Sequence, residues 1–376
     1  MDFRLYFRSR QGEMVHLLKQ LAMLESPTQD KKAVDACAAF VARELKRTGC
    51  KVTTFPQKDI GDLTVAEFAP GRLKNADDEI LVLTHIDTVW PVGKIGKMPF
   101  YVSGNKLYGP GVLDMKAGVV MLLTALRSLQ GLNVKLKKRV TVVVNTAEET
   151  GHPAARDLIR KLARKASLVL CLEPALPGGA LKLERKGRLV VRLDIRGRAA
   201  HGGSPEKGVS AIEELVTQLA RLKRLRTGET TVNVGLAGGG EKANVVAENA
   251  WAVLDIRFWK SIDRDRVLKI LREAVPALGG ARLKVSVEST TPPMEKTKAS
   301  EKLFVRAQEI AAGIGLSLKG GKTGGGSDAS IAAGMGIPTL DGLGPDGDGI
   351  HAEHEHLLLS SFVERTALLT ELLKDL

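Results

Sequence analysis

At 376 residues the chain is long enough for two domains with separate hydrophobic cores. Apolar residues make up 44% and charged residues 26%, an ordinary globular balance, and no apolar run approaches the roughly 20 residues of a membrane span, so no membrane partner is expected. The formal charge is +13, yet Phe, Trp and Tyr total only 4% and the basic clusters KLKKR (135–139) and RLKRLR (221–226) are not interleaved with them, so base stacking is poorly supplied and no nucleic-acid partner is expected. The excess charge is read either as a solvated surface or as a field that steers an anionic substrate.

The N-terminal segment MDFRLYFRSRQGEM has neither a continuous apolar stretch nor a small-residue cleavage site, which favours a cytoplasmic location. Three scattered cysteines, Cys37, Cys50 and Cys171, are too few for a disulfide framework or a thiolate metal site. Cys171 lies in the apolar run SLVLCL and reads as a small buried hydrophobe.

In chain order, helical spacing of Val34, Cys37, Phe40, Val41 and Leu45 predicts a helix over 30–48. Short apolar runs follow at ILVLT (80–84), VTVVVNT (140–146) and SLVLCL (167–172), with helical patterns at 116–129 and 153–165 between them. Strands alternating with helices argue an α/β domain with a largely parallel sheet. Residues 188–289 then read as strand (189–196), helix (209–225), strand (231–236), strand (250–258), helix (263–277) and strand (282–289). That β-α-β-β-α-β order is ferredoxin-like. Helices near 299–313 and 359–375 return to the α/β pattern. The expectation is an α/β domain of residues 1–184 plus 292–376, interrupted by a smaller inserted domain at 185–291.

Side chains able to bind a metal stand at or just past several predicted strand ends, where α/β sheets collect ligands. His85 and Asp87 follow ILVLT, Asp114 opens the segment after YGPGVL, and Glu148 and Glu149 follow VTVVVNT. Glu173 follows SLVLCL, and His351 comes from the glycine-rich stretch GLGPDGDGIH. Taken singly, each of these carboxylates reads equally well as surface chemistry or a helix cap. Their repetition at strand ends points to a site, and two imidazoles with several carboxylates suit zinc.

Nine segments in register resemble the di-zinc exopeptidases that include carboxypeptidase G, aminoacylase, acetylornithine deacetylase and succinyl-diaminopimelate desuccinylase. They are LTHIDTVW (83–90), YGPGVLDMKAG (108–118), NTAEETG (145–151), CLEPA (171–175), GRAAHGGSPEKGVSAI (197–212), GGGEKANVV (238–246), LDIRF (254–258), GGGSDAS (324–330) and GIHAEHE (349–355). The GPG before the aspartate, the EP pair and GGGSDA are most similar to the carboxypeptidase G branch. Ala147, where many members carry Asp, and His152, after Gly151, depart from the pattern.

The resemblance implies two zinc ions per chain, with cobalt or manganese as alternatives. Asp114 would bridge them, His85 and Glu173 would hold one, and Glu149 and His351 the other. Asp87 would orient the His85 imidazole, and Glu148 would be the general base. The inserted domain would form a homodimer contact, from which His201 would stabilise the oxyanion in the neighbouring subunit. Asn244 and Arg257 would hold the substrate carboxylate, and Gly325, Gly326 and Ser327 would form a substrate-contacting loop.

The implied activity is release of a C-terminal amino acid, plausibly glutamate, from a small anionic peptide or acyl-amino acid. Removal of an acetyl or succinyl group is the alternative on the same machinery. A non-catalytic nucleic-acid-binding protein is disfavoured, because a binding module has no use for Glu148. His152, His354 and His356 read as surface or supporting residues, and His16 has no role.

Overall fold

The computed structural model describes residues 1–69 and 78–376, which divide into two compact units. One comprises 1–183, 296–322 and 327–376; the other comprises 184–295 and 323–326. The short stretch 323–326 thus clusters with the second unit, apart from its chain neighbours.

The first unit is built on a six-stranded sheet ordered Lys51–Phe55, Leu63–Phe68, Arg139–Asn145, Glu79–His85, Leu168–Cys171 and Thr339–Leu340. The last four are mutually parallel, and the first two form an antiparallel edge. Every residue of Glu79–His85 is buried, which explains why it reads as an unbroken apolar run: helices cover both faces, so neither face needs polar residues. Helices Lys31–Arg47, Ala117–Gly131 and Leu359–Asp375 contribute to one core cluster with the sheet face of Ile80 and Val82, with Val41, Leu45, Val120, Leu126, Phe362 and Leu369 in it. Burying each such side chain contributes about 1.5–3 kcal/mol.

A small antiparallel sheet of Gly347–Asp348, His356–Leu358, Lys106–Tyr108 and Tyr101–Ser103 lies in the same unit. It pairs His356 with Tyr108, so the segments that follow Tyr108 and precede His356 start from neighbouring strands.

The second unit has a four-stranded antiparallel sheet ordered Thr231–Gly239, Asn249–Phe258, Gly187–Arg196 and Arg282–Thr291. Along Gly187–Arg196 buried residues alternate with more exposed ones. Leu189, Val191, Leu193 and Ile195 pack with Leu215 and Leu222 of helix Ala211–Lys223 and Val267 and Leu271 of helix Ser261–Arg272. The chain order is the ferredoxin-like one expected from the sequence. Among the described residues no helix is long and apolar enough to cross a membrane.

Candidate metal centre

Parallel pairing sets the strand ends level, with His85 opposite Asn145 and Leu83 opposite Cys171. Asp87, Glu148, Glu149 and Glu173 therefore leave the sheet at one end of its interior strands. Asp114 comes from an irregular turn before helix Ala117–Gly131, with extended backbone angles (φ −112°, ψ 98°). Gly118 lets that helix approach the Glu173 segment, since a Cβ there would collide with the Leu172 carbonyl oxygen. His351 sits in the left-handed region at φ 61°, uncommon for a non-glycine residue, and follows Gly349 at φ 82°. A side chain at Gly349 would meet the Glu355 nitrogen at 2.8 Å, so the turn that presents His351 requires glycine twice over.

Two groups of donor atoms result. His85 Nε2 lies 3.3 Å from Asp114 Oδ1 and 3.4 Å from Glu173 Oε1. His351 Nε2 lies 3.4 Å from Asp114 Oδ2 and 3.2 Å from Glu149 Oε1. Ligand atoms of His85, Glu148 and Glu173 all fall within 4.8 Å of one another, as do those of Asp114, Glu149 and His351.

Asp87 is fully buried and does more than face an imidazole. Its Oδ1 accepts the main-chain N–H of Glu148 and its Oδ2 that of Glu149, both at 3.1 Å, and Thr28 Oγ1 donates to Oδ2 at 2.8 Å. His85 Nδ1 is 3.1 Å from the Asp87 main-chain carbonyl and 3.4 Å from its carboxylate. Donation from Nδ1 leaves Nε2 as the free lone pair toward Asp114 and Glu173.

The electrostatics fit bound cations. Asp87, Asp114, Glu148, Glu149, Glu173 and Asp328 cluster around two imidazoles, with the buried Lys182 Nζ 3.9 Å from Glu173 Oε2. Burial pushes Glu148 well above the usual carboxylate range, and negative Glu173, Asp328 and Glu149 add to this while His85 opposes it. Burial likewise pushes Asp328 up to about 6. Asp114 Oδ1 is buried without a well-formed hydrogen bond. An acidic cluster with an orphaned carboxylate oxygen and imidazole nitrogens on both sides is a donor set for a pair of hard or borderline divalent ions.

The profile of peptidase family M20/M25/M40 matches residues 81–375. The chain belongs to this family. It is a metallopeptidase, a hydrolase of amide bonds. It is 32% identical to carboxypeptidase G2 of Pseudomonas sp. (strain RS-16), over 97% of this chain and 90% of that protein. Its fold is similar to that of the aminopeptidase PepT from Bacillus cereus (TM-score 0.79, 22% identity, 97% and 98% of the two chains). It is also similar to an M20 family metallo-carboxypeptidase from Sulfolobus solfataricus (TM-score 0.72, 18% identity, 96% and 98% of the two chains).

Of the residues singled out from the sequence, the first unit gathers His85, Asp87, Asp114, Glu148, Glu149, Glu173 and His351 in one place. Ser327 is also in that unit but buried, its hydroxyl donating to Asp341 Oδ2 at 2.8 Å, so the side chain is turned into the fold. His201, Asn244, Arg257, Gly325 and Gly326 belong to the second unit. There Arg257 donates through Nε and Nη2 to the Asp255 carboxylate and through Nη1 to the Gly324 carbonyl. Arg185, which the sequence did not single out, donates to the carbonyls of Gly325 and Gly326. His201 is exposed, and the Asn244 carbonyl accepts the neighbouring Gly202 N–H at 2.8 Å.

Sequence reasoning missed Lys182, Asp328 and Glu355, all buried. Asp328 and Glu355 lie inside the quoted strings GGGSDAS and GIHAEHE, so the motif itself was the available signal; Lys182 had none. Of the near-motif histidines, His152 caps helix Pro153–Ala163 and His354 is exposed. His356 is buried against Tyr108, ring centroids 5.0 Å apart, because it occupies a strand of the small sheet. All three cysteines are buried.

Proposed function

We propose that the chain is a two-zinc carboxypeptidase that releases a C-terminal amino acid, glutamate foremost, from a small anionic peptide or acyl-amino acid. The carrying observation is the division of Asp114 between two imidazoles, Oδ1 toward His85 and Oδ2 toward His351. Asp114 would then be shared by the two ions, with His85 and Glu173 completing one ligand set and Glu149 and His351 the other. Zinc fits this nitrogen and carboxylate set; cobalt or manganese would suit the same donors. Two such ions, when bound, polarise the scissile carbonyl and lower the pKa of a nucleophilic water.

The rest is done by the chain's own groups. Glu148 takes the proton of the attacking water and returns it to the departing amine nitrogen. Asp87 holds the Glu148 and Glu149 amides and the His85 ring. His201 Nδ1 accepts the Gly203 N–H at 3.0 Å, which leaves the ring hydrogen on Nε2 as an outward donor for an oxyanion. Asn244 and Arg257 receive the substrate carboxylate, Arg257 with the N–H groups of Nη1 and Nη2 that are not given to Gly324 and Asp255, and Gly325 and Gly326 contact substrate through main chain held by Arg185.

A homodimer through the second unit supplies His201 to the partner's site. Its support is apolar side chains left in water: Ile212 and Val216, one turn apart on helix Ala211–Lys223, and Leu236 on the edge strand Thr231–Gly239. Carboxypeptidase specificity is supported by the relative of that name and glutamate by the carboxypeptidase G-like motifs.

A substrate panel tests this reading. Purified protein with zinc is assayed on C-terminal glutamate conjugates, other dipeptides and N-acetyl or N-succinyl amino acids. Preferred release of C-terminal glutamate is the expected result. Preferred release of acetyl or succinyl replaces the reading with a deacylase, and no hydrolysis of any member overturns it.

A further inference from the structure

Glu355, four residues beyond His351, is 1% exposed and has no part in the chemistry above. Its Oε1 accepts the main-chain N–H of Leu113 at 2.9 Å and of Asp114 at 3.1 Å. Its Oε2 accepts the N–H of Gly111 at 2.9 Å and the indole N–H of Trp90 at 3.0 Å. The Glu355 main chain is held as well, its N–H donating to the Ala352 carbonyl at 2.9 Å and its carbonyl accepting from Gly109 at 3.4 Å.

One carboxylate therefore touches three segments, each bearing a group of the metal centre. Trp90 ends the loop that begins at His85. Gly111, Leu113 and Asp114 form the turn that presents the bridging carboxylate. Glu355 shares its own turn with His351. Both oxygens accept two donors each, a pattern only a carboxylate can satisfy. A glutamine would set its NH₂ against two N–H groups. Metal affinity depends on ligand placement to within about 0.5 Å, and groups that orient ligands from behind commonly change affinity by about 10–100-fold.

We propose that Glu355 is a positioning residue that sets the spacing of Asp114 and His351, and through it the affinity of the Asp114–Glu149–His351 group for its ion. The inference rests on the two-metal reading given above. A carboxylate that merely stitched loops together would alter stability and leave the affinity of the folded protein unchanged.

The test compares wild type, Glu355→Gln, Trp90→Phe and Glu353→Gln, the last an exposed neighbour that pairs with Lys94 at 2.5 Å. Zinc content is measured by elemental analysis, stepwise zinc affinity by competition with a chromophoric chelator, and folding of the metal-free protein by circular dichroism. Wild type and Glu353→Gln should bind two ions with equal affinities. Glu355→Gln should bind the second ion about 10–100-fold more weakly. Activity lost at limiting zinc should return with excess zinc, and Trp90→Phe should show a smaller weakening of the same step. Wild-type affinities in Glu355→Gln, even with a lowered Tm, overturn the proposal. If Glu355→Gln does not fold, Trp90→Phe decides: a weaker second ion supports the proposal and wild-type affinity overturns it. A wild-type protein that binds no ion overturns the two-metal reading itself, and the inference with it.

Discussion

The carboxylate of Asp87 accepts the main-chain N–H of Glu148 at 3.1 Å, so the segment carrying the proposed base hangs from the loop that follows His85. The second oxygen holds the Glu149 amide in the same way. Asp87→Asn turns an NH₂ toward one of these donors and should shift both glutamates. Turnover is expected to fall about 10–100-fold with zinc still bound. Unchanged kcat in a variant shown to retain two ions would mean that these amide contacts do not govern the base.

Glu148 belongs with the ion-binding atoms of His85 and Glu173 by distance alone, which makes its role testable. Glu148→Ala is expected to lower kcat by about 10²–10⁴ while zinc stays near two per chain. Loss of an ion along with activity would mark Glu148 as a ligand, and retained activity would remove it from the mechanism.

Metal affinity should fall steeply in acid. Hydrogen bonds to Asp114 and Glu149 push His351 up to about 10. Burial would lower His85, yet the carboxylates of Asp114, Asp87 and Glu173 around it carry it well above its ordinary value. In the ion-free protein the His351 ring holds a proton at neutral pH, and a cation must expel it. The apparent zinc Kd should therefore weaken about tenfold per pH unit lost for each proton released, and strengthen as pH rises toward 10. Chelator competition at several pH values measures the slope; a flat profile from pH 6 to 8 would refute the ring protonation.

A homodimer that shares His201 makes a prediction by counting. His201→Ala and Glu148→Ala should each be nearly inactive alone. A mixed dimer has one site with both wild-type groups and one with neither, so subunit exchange should restore up to about half the activity per dimer, given the oxyanion role. Proven exchange without recovery would confine His201 to its own chain. A monomer with full activity would exclude sharing.

The strands that carry the metal centre were legible because burial on both faces forces unbroken apolar runs, as in ILVLT and SLVLCL. The candidate ligands stood out because the polar groups at the ends of those runs serve no core. The edge pair Lys51–Phe55 and Leu63–Phe68 was not foreseen: KVTTF is largely exposed, and no alternation marks it.

By itself, then, the sequence determined the order of most strands and helices and a set of candidate metal-binding side chains, since periodicity and residue chemistry are local properties. Tertiary structure alone decided how those side chains are held. The split of Asp114 between His85 and His351, the Asp87 grip on the Glu148 amide, the inward turn of Ser327 and the four donors converging on Glu355 join segments distant in the chain. Most of these contacts are made to main-chain N–H groups, which every residue but proline carries, so no residue pattern announces them.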